Sequence, residues 1–389
     1  MNKLNIKLLA FQGAPETVFQ NAVARLVKMI PAENFVLTES NPDVLFFLSG
    51  GSEQLAIEQV AKGRFCLLIG SQHDNSYASA TEVKAWLNSM NIPSMLLDEE
   101  ESETRAVLED FLKVKQALIS LAGKKVGLIG HVSDWLISSS IPSDLLEKKL
   151  GIELIEIPWN KLAHFSEYKT SGSFLKSFPD EKHFDLTETS KVSELLSETI
   201  QKWQLDAITV ECFPLVQKDG VTACLPLARF NHEGIPAGCE GDITSIVGMM
   251  VCKELTGIIP WIANINKVTS DVCLFSHCTI DPGLVSEFSI KTHFETGKGT
   301  AIAGKFKGDQ VTIFRFDNNL SKVFIAVTSI IGRPQSDTAC RTQIEVKLTE
   351  NEVLLLKQSP LGNHHLIFPG DCSKLLRTAC LLLDIKVLE

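Results

Sequence analysis

Short apolar runs alternate with helical stretches through the first third of the chain. The runs cover residues 4–11, 44–48, 65–69 and 94–97, and apolar positions at helical spacing mark residues 53–61, 80–90 and 103–122. Runs of this length between turn residues are typical of buried strands, and a spacing of three or four is typical of helices that bury one face. This alternation predicts a first domain, residues 1–122, with a mostly parallel sheet flanked by helices.

A second domain of the same kind is predicted for residues 123–260. A fresh apolar run at 126–129 and another at 207–213 read as buried strands, with helical spacing around 186–203. Gly127 and Gly130 do not form a dinucleotide-binding fingerprint, because the remaining glycine of that motif is missing. The sequence therefore gives no support for NAD binding.

The most informative stretch is a predicted helix that is preceded by a run of polar residues. Apolar positions recur at helical spacing through residues 243–255, Gly257 supplies a stop, and Asp242 is the natural N-cap. Glu240 lies just ahead of the helix, whose positive end favours an ionised carboxylate. The residues around Glu240 are largely apolar and solvate its carboxylate poorly. The carboxylate therefore needs a cationic partner, and a metal ion is a suitable one. The alternative is that Glu240 only supplements Asp242 in capping.

The pattern changes beyond Pro260. Short segments rich in Val, Ile, Phe and Thr, separated by Gly, Asp or Asn, predict an antiparallel β domain at residues 261–389. It closes with a helix at 372–383 and a short strand. The predicted strands are 268–275, 300–306, 311–316, 322–328, 342–348 and 352–356. The predicted fold class is therefore α/β: two parallel-sheet α/β domains followed by a β-rich C-terminal domain.

Composition and charge exclude several classes of protein. The 389 residues carry a net charge of -10, which argues against nucleic acid or anionic membrane as a main partner. The start, MNKLNIKLLAF, has too short an apolar run for a signal peptide, and no run reaches the length of a membrane span. Ten cysteines without a CxxC pair indicate reduced thiols in a cytoplasmic protein.

Polar side chains follow several predicted strands. Residues 49–53 and 71–76 lie where parallel sheets bind ligands, beyond the carboxyl ends of the strands. His131, Ser133 and Asp134 follow the strand at 126–129 in the same way. Each group has an alternative role as a turn or a helix cap.

A mixed set of oxygen and nitrogen donors is spread over the second half of the chain. One carboxylate, imidazoles and amide oxygens form a set that suits Mn²⁺, Co²⁺ or a similar divalent ion such as Mg²⁺. Spacing alone does not show that they converge, and His277 has an alternative role as an ordinary core or surface histidine. The candidates are Glu240, His277, His364, His365, Asn264 and Asn266.

Four segments, in order, resemble the L-fucose isomerase and L-arabinose isomerase superfamily, especially its shorter fucose-isomerase-like members. They are GCEGD at 238–242, SHCT at 276–279, HFETG at 293–297 and GNHH at 362–365. Residues 49–53 look like that group's TGGTE segment, and Asn75-Ser76 adds to the match. The resemblance spans nearly the whole chain. It implies two α/β domains and a β-rich domain, assembled into homotrimers or homohexamers with sites near subunit contacts.

The resemblance also implies a function, that of a metal-dependent aldose–ketose isomerase. Glu240 matches the family's metal-binding catalytic glutamate, and one of His364 and His365 matches its C-terminal histidine ligand. We assign Glu240, His277 and His365 to the metal, most simply Mn²⁺. Asn264 stands where better-known members have a second carboxylate, and an amide cannot act as a base. We assign it to catalysis, and assign substrate binding to Arg229, Asn75, Ser133, His364 and Glu53.

Such an isomerase moves a carbonyl from C1 to C2 of a sugar through an ene-diol, with a divalent ion as Lewis acid and a side chain shuttling the proton. The sequence does not decide whether the second acid or base is a histidine, Glu211, Glu295 or a metal-bound water.

The sequence also does not decide which sugar is the substrate. It is either a neutral monosaccharide or an anionic hexose, such as sulfoquinovose, held by basic residues. Candidates for that pairing are Arg229, Lys291, Arg333 and Arg341.

Two alternatives belong to other classes. A sugar-binding protein of the same fold would have lost turnover through Asn264. A metal-dependent epimerase or lyase would use the same ene-diol for a different outcome. Bound metal and product analysis separate these cases.

Overall fold

The computed structural model describes residues 3–60, 65–178 and 183–389. It divides into two compact units, one made of Met1–Ile119 and Arg377–Ile385 and the other of Ser120–Leu376 and Lys386–Glu389. The predicted fold class is confirmed, with two parallel sheets and a β-rich C-terminal region. The domain boundaries at residues 122 and 260 stay a prediction. No helix within the described ranges is long and apolar enough to cross a membrane.

The first unit is built on a five-stranded parallel sheet in the order β2-β1-β3-β4-β5. Strands β3 and β4 are buried along their whole length, since helices cover both faces of such a sheet. The predicted helix at 53–61 ends at Ile57, and Ala61 lies outside the described residues. The strands are β1 (Leu4–Leu9), β2 (Phe35–Leu37), β3 (Val44–Phe47), β4 (Cys66–Gly70) and β5 (Ser94–Asp98), and the helices are α1 (Glu16–Met29), α2 (Glu53–Ile57), α3 (Ser76–Ser89) and α4 (Ser102–Leu121).

The second unit begins with a four-stranded parallel sheet in the order β7-β6-β8-β9. The predicted strands at 126–129 and 207–213 correspond to β6 and β8, although residue 213 already begins a helix. The strands are β6 (Lys125–Ile129), β7 (Glu153–Ile157), β8 (Ala207–Val210) and β9 (Ala237–Cys239), and the helices are α5 (Ser143–Leu150), α6 (Gly172–Ser177), α7 (Thr187–Trp203), α8 (Phe213–Asp219), α9 (Cys224–His232) and α10 (Ile243–Thr256).

Helix α10 is the central element of this unit. As predicted, Asp242 caps it by accepting a hydrogen bond from the backbone N–H of Ser245, and it ends at Gly257. A Cβ at Gly248 would lie 2.5 Å from a side-chain carbon of Leu366, so glycine permits close packing on the following sheet. The helix contacts β8 on one side and that sheet on the other. It therefore joins the parallel sheet to the β-rich part.

The β-rich part is a seven-stranded sheet in the order β14-β17-β10-β11-β16-β15-β18, with a separate β12–β13 pair. Its pairings are antiparallel except β15 with β18. The elements are β10 (Trp261–Val268), β11 (Val272–His277), β12 (Val285–Lys291), β13 (Ala301–Phe306), β14 (Gln310–Phe316), β15 (Lys322–Gly332), β16 (Thr342–Lys347), α11 (Glu350–Gln358), β17 (His364–Pro369), α12 (Ser373–Leu382) and β18 (Lys386–Val387).

The predicted strand at 352–356 is wrong, because these residues lie in α11. A capping box starts that helix: Thr349 accepts from the backbone of Glu352, and Glu352 accepts from the backbone of Thr349. The capping box favours a helix more strongly than the consecutive apolar residues favour a strand. The predicted strand at 268–275 is two strands, β10 and β11, joined at residues 269–271.

Candidate functional site

Glu240 lies in the turn between β9 and α10. Its φ of +61° is the left-handed conformation, which is uncommon for a residue with a side chain and clusters at functional sites. Gly241 follows, and a Cβ there would lie 2.3 Å from the carbonyl oxygen of His131. The backbone N–H of Ser133 donates to the Glu240 carbonyl at 3.0 Å. The turn thus fixes where the carboxylate points.

Two imidazoles face the same oxygen of this carboxylate. The Nε2 atoms of His277 and His364 each lie 3.9 Å from Oε1 of Glu240. His277 ends β11 and His364 begins β17, and both side chains are buried. Among the described residues, neither Nε2 atom has a hydrogen-bond partner. Buried polar atoms are nearly always satisfied, so this pair requires an explanation.

The other ring nitrogens are tethered. His364 Nδ1 lies 2.9 Å from Oδ2 of Asp242, and His277 Nδ1 lies 3.2 Å from the hydroxyl of Thr279. When a carboxylate accepts the Nδ1 proton, Nε2 is left with its lone pair free. This is the usual arrangement of a histidine that binds a metal.

A buried arginine completes the support of His364. Arg315 donates to the His364 carbonyl at 2.6 Å and to the Leu361 carbonyl at 3.0 Å, and lies 3.5 Å from Asp242. It also donates to the hydroxyl of Ser139. This side chain therefore holds the start of β17 and the N-terminus of α10 together.

Burial and charge set the protonation of these groups. Burial would raise the pKa of Asp242, but the Arg315 charge and the His364 hydrogen bond outweigh it and hold that pKa well below its usual range. Burial, followed by the neighbouring His364, lowers the pKa of His277 to about 4. Asp242 is therefore ionised and His277 neutral near neutral pH, which are the forms that a metal site needs.

Asn264 lies in the same row of side chains as His364. It is opposite His364 on β17 and opposite Ser276 on β11, so the three share one face of the sheet. The Oδ1 of Asn264 accepts from the amide of Asn363 at 2.5 Å. Its amide oxygen thus already has one partner.

The mouth of the site carries an exposed indole. Trp135 Nε1 donates to Oε2 of Glu240 at 2.6 Å, and its ring is 52% exposed. Its ring packs edge-to-face on Phe213, which packs in the same way on His293. The backbone N–H of Ser133 contacts Glu240, and the Ser133 hydroxyl is buried and has no partner within the described ranges. These groups offer stacking and hydrogen bonding to a polar ligand.

The donor set fits a divalent ion. Glu240, His277 and His364 offer one carboxylate oxygen and two imidazole nitrogens, and residues 3–60, 65–178 and 183–389 supply neither nitrogen with a hydrogen-bond partner. Carboxylate oxygens suit hard ions such as Mn²⁺, and imidazole nitrogens suit Zn²⁺, Fe²⁺ and related transition metals, so this set does not select one ion.

The chain resembles proteins of known activity. It is similar to two sulfoquinovose isomerases. One is from Priestia aryabhattai and the other from Priestia megaterium (strain ATCC 12872 / QMB1551), each 22% identical over 259 residues. The match covers 62% of this chain and 58% of each relative, so the chain spans less than two thirds of their length. No family model matches the chain.

The structure brings together Glu240, His277, His364 and Ser133, but not His365. Consecutive strand residues point to opposite faces, so His365 faces away from Glu240 when His364 faces it. Its ring packs against those of Phe275 and Phe324 in the core, at centroid distances of 5.9 and 5.6 Å. The prediction of His365 as a metal ligand and His364 as a substrate contact stays a prediction. Of the two rings, that of His364 is the one beside Glu240.

The remaining predicted substrate contacts each have their own surroundings. Arg229 lies in α9, where it pairs with Glu233 and faces the ring of Phe174. Glu53 and Asn75 belong to the first unit and line an open cavity of about 940 Å³ there. Lys291, Arg333 and Arg341 share a cavity of about 190 Å³ in the second unit.

Sequence analysis did not identify the residues that position Glu240 and His364. Arg315 is the one charged residue in the largely apolar run at 311–316, and a lone cation in such a strand predicts a buried partner. The cap Asp242 was recognised, but its second contact with His364 spans 122 positions and has no local signal. No local sequence motif indicated that Trp135 belongs to the site.

We expect His364→Asn to lose bound divalent metal and His365→Phe to keep it. The asparagine amide can still donate to Asp242 but supplies nothing in place of Nε2, whereas phenylalanine fits between two phenylalanine rings. Affinity in His364→Asn should fall by at least roughly 100-fold, the upper end of losses seen for supporting groups alone. Metal content after dialysis measures this. Metal lost from His365→Phe but kept by His364→Asn would support the assignment made from the sequence.

His365→Phe should also weaken the pH dependence of stability. Burial, followed by the Arg315 charge, lowers the pKa of His365 to about 3 in the folded protein, against about 6.5 in the unfolded chain. As pH falls between these values, the unfolded chain takes up the proton first. Stability present above about pH 6.5 is therefore lost toward pH 3. Urea unfolding at neutral and acid pH should show a smaller loss in the variant, and equal losses would contradict this.

Proposed function

We propose that the protein is a metal-dependent aldose–ketose isomerase acting on a monosaccharide, related to the L-fucose and L-arabinose isomerases. One observation carries the proposal: two buried imidazole nitrogens, with no hydrogen-bond partner in the part of the chain that the structure describes, lie 3.9 Å from one oxygen of Glu240. A divalent ion, Mn²⁺ in the first instance, would be held by Glu240, His277 and His364. The similarity to proteins named sulfoquinovose isomerase supports the same class of reaction.

The ion would supply Lewis-acid stabilisation of the oxygen on which charge develops as the C2 proton leaves. Glu240 would take that proton and return it to C1. Trp135 holds one of its carboxylate oxygens, so the other stays directed at the two histidines. Asp242 keeps Nε2 of His364 free for the ion, and Asn264 contributes hydrogen bonding but not base catalysis.

Glu295 is our choice for the second acid or base. Burial, with a smaller contribution from the nearby Glu240, raises the pKa of Glu295 and makes it a better proton carrier near neutral pH. Glu211 is less suited, because its carboxylate accepts the backbone N–H of His131 at 2.9 Å.

For the substrate we favour an anionic hexose such as sulfoquinovose. Three of the four basic residues considered for this role line one cavity together with Gln343. Gln343 is opposite Ser276 on the neighbouring strand, so it lies two strands along the sheet from Asn264, roughly 10 Å at the usual strand spacing. Assembly into trimers or hexamers stays a prediction.

Product analysis tests the proposal. The Mn²⁺-supplemented protein is incubated in D₂O with a panel of aldoses that includes sulfoquinovose, and products are followed by NMR. We expect a ketose carrying solvent deuterium at C1. A C2 epimer would identify an epimerase, and carbon–carbon cleavage a lyase. Sugar binding without turnover by metal-loaded protein would identify a binding protein. Each of these three outcomes would overturn the proposed isomerase.

A further inference from the structure

A thiol lies beside the proposed ligands. Cys239 ends β9 and immediately precedes Glu240. The ligand atoms of Cys239, Glu240 and His277 all lie within 4.8 Å of one another. Successive side chains of a strand normally point to opposite faces, so the left-handed turn at Glu240 is what brings the first two together.

This trio differs in chemistry from the proposed Mn²⁺ set. Replacing the His364 nitrogen with the Cys239 sulfur gives one sulfur, one oxygen and one nitrogen. Thiolate, carboxylate and imidazole are the three ligand types of zinc sites, with a fourth position left for water or substrate. Hard ions such as Mn²⁺ have little affinity for sulfur. The two sets share Glu240 and His277, so one ion excludes the other.

The Cys212 contact and burial raise the pKa of the Cys239 thiol, so only an ion with high affinity for sulfur displaces its proton. The Cys239 side chain is 3% exposed, and the contact recorded for its sulfur is Cys212, 3.2 Å away. A thiol is a weak donor and acceptor, so this contact is readily exchanged. The Nε2 atom of His277 has no hydrogen-bond partner among the described residues. Sulfur and nitrogen thus both face Glu240.

We propose that Cys239, Glu240 and His277 form a second, overlapping site that captures thiophilic divalent ions such as Zn²⁺ and Cd²⁺ and displaces the hard ion. Binding releases the thiol proton, and a sulfur lone pair forms the bond to the metal. No electron is transferred. The inference rests on the proposed function in that Glu240 and His277 accept a metal, but not on the sugar reaction.

Optical spectroscopy of the full-length protein with Co²⁺ and Cd²⁺ tests this site. A thiolate ligand produces a sulfur-to-metal charge-transfer band, which carboxylate and imidazole do not. We expect the band in wild type, its loss in Cys239→Ser and Cys239→Ala, and its retention in Cys212→Ser and Cys340→Ser. Cys212 is the nearest thiol, and Cys340 belongs to a separate buried cluster with Cys224 and Cys278. Circular dichroism establishes which variants are folded.

Competition with Mn²⁺ separates this inference from the proposed function. One equivalent of Cd²⁺ should release one equivalent of bound Mn²⁺ from wild type, seen as the return of the free Mn²⁺ signal in electron paramagnetic resonance. Bound Mn²⁺ with no band, or with a band that survives in both Cys239 variants, overturns the second site and leaves the proposed function standing. A Cys239-dependent band without Mn²⁺ binding supports the second site and overturns the assignment of Mn²⁺ in the proposed function.

Discussion

Glu240→Gln should reduce isomerase turnover by roughly 10²- to 10⁴-fold, the range for a lost acid–base group. The amide keeps the size of the side chain and can still accept the Trp135 hydrogen bond. It cannot take a proton from sugar carbon, and it binds a divalent ion more weakly than a carboxylate. Steady-state kinetics at saturating Mn²⁺ measure the effect, and the fall should lie in kcat.

The matched control is Glu153→Gln. Glu153 lies at the start of β7, where its largely exposed side chain is 3.9 Å from Lys125. An exposed pair of this kind contributes about 0–1 kcal/mol, so this variant should match wild type in turnover and stability. If Glu240→Gln keeps wild-type kcat while folded, Glu240 is not the catalytic base.

Asp242→Asn should destabilise the protein and loosen its metal site together. The change leaves the buried Arg315 without its carboxylate, and removing one partner of a buried pair costs about 3–5 kcal/mol. It also removes the charge that orients His364, and losing such a supporting group weakens metal affinity by about 10- to 100-fold. Guanidinium unfolding and Mn²⁺ titration measure the two effects.

Asp281→Asn controls for the loss of an aspartate at a helical N-cap. Asp281 caps a short turn and pairs with the exposed His232, so the change should cost under about 1 kcal/mol and leave Mn²⁺ affinity unaltered. An Asp242→Asn protein as stable as this control, with wild-type Mn²⁺ affinity, would show that Asp242 acts as a helix cap alone.

Local patterns predicted the elements of the fold where one signal dominated. Strand β3 and helix α10 were found because a buried apolar run and a capped helical period are readable over a few residues. Helix α11 was missed because its apolar residues are consecutive, and the capping box at Thr349 was not weighed against them. Helix α9 was also missed, since Pro226 and the polar residues that follow it resemble a loop.

The candidate site was predictable only in part, because its geometry depends on how strands that are far apart in the sequence pair with one another. Glu240 could be found from its place ahead of a helix. The choice between His364 and His365 depends on which face of β17 meets α10, and that follows from the pairing of β17 with β10. Asp242 and Arg315 acquire their roles only when α10 packs on that sheet.

Metal content and turnover of the same sample, before and after chelation, would test the metal-dependent isomerase most directly. One Mn²⁺ per chain is expected, with conversion of an aldose to its ketose lost on chelation and restored by Mn²⁺. Full turnover by protein shown to be metal-free would contradict it.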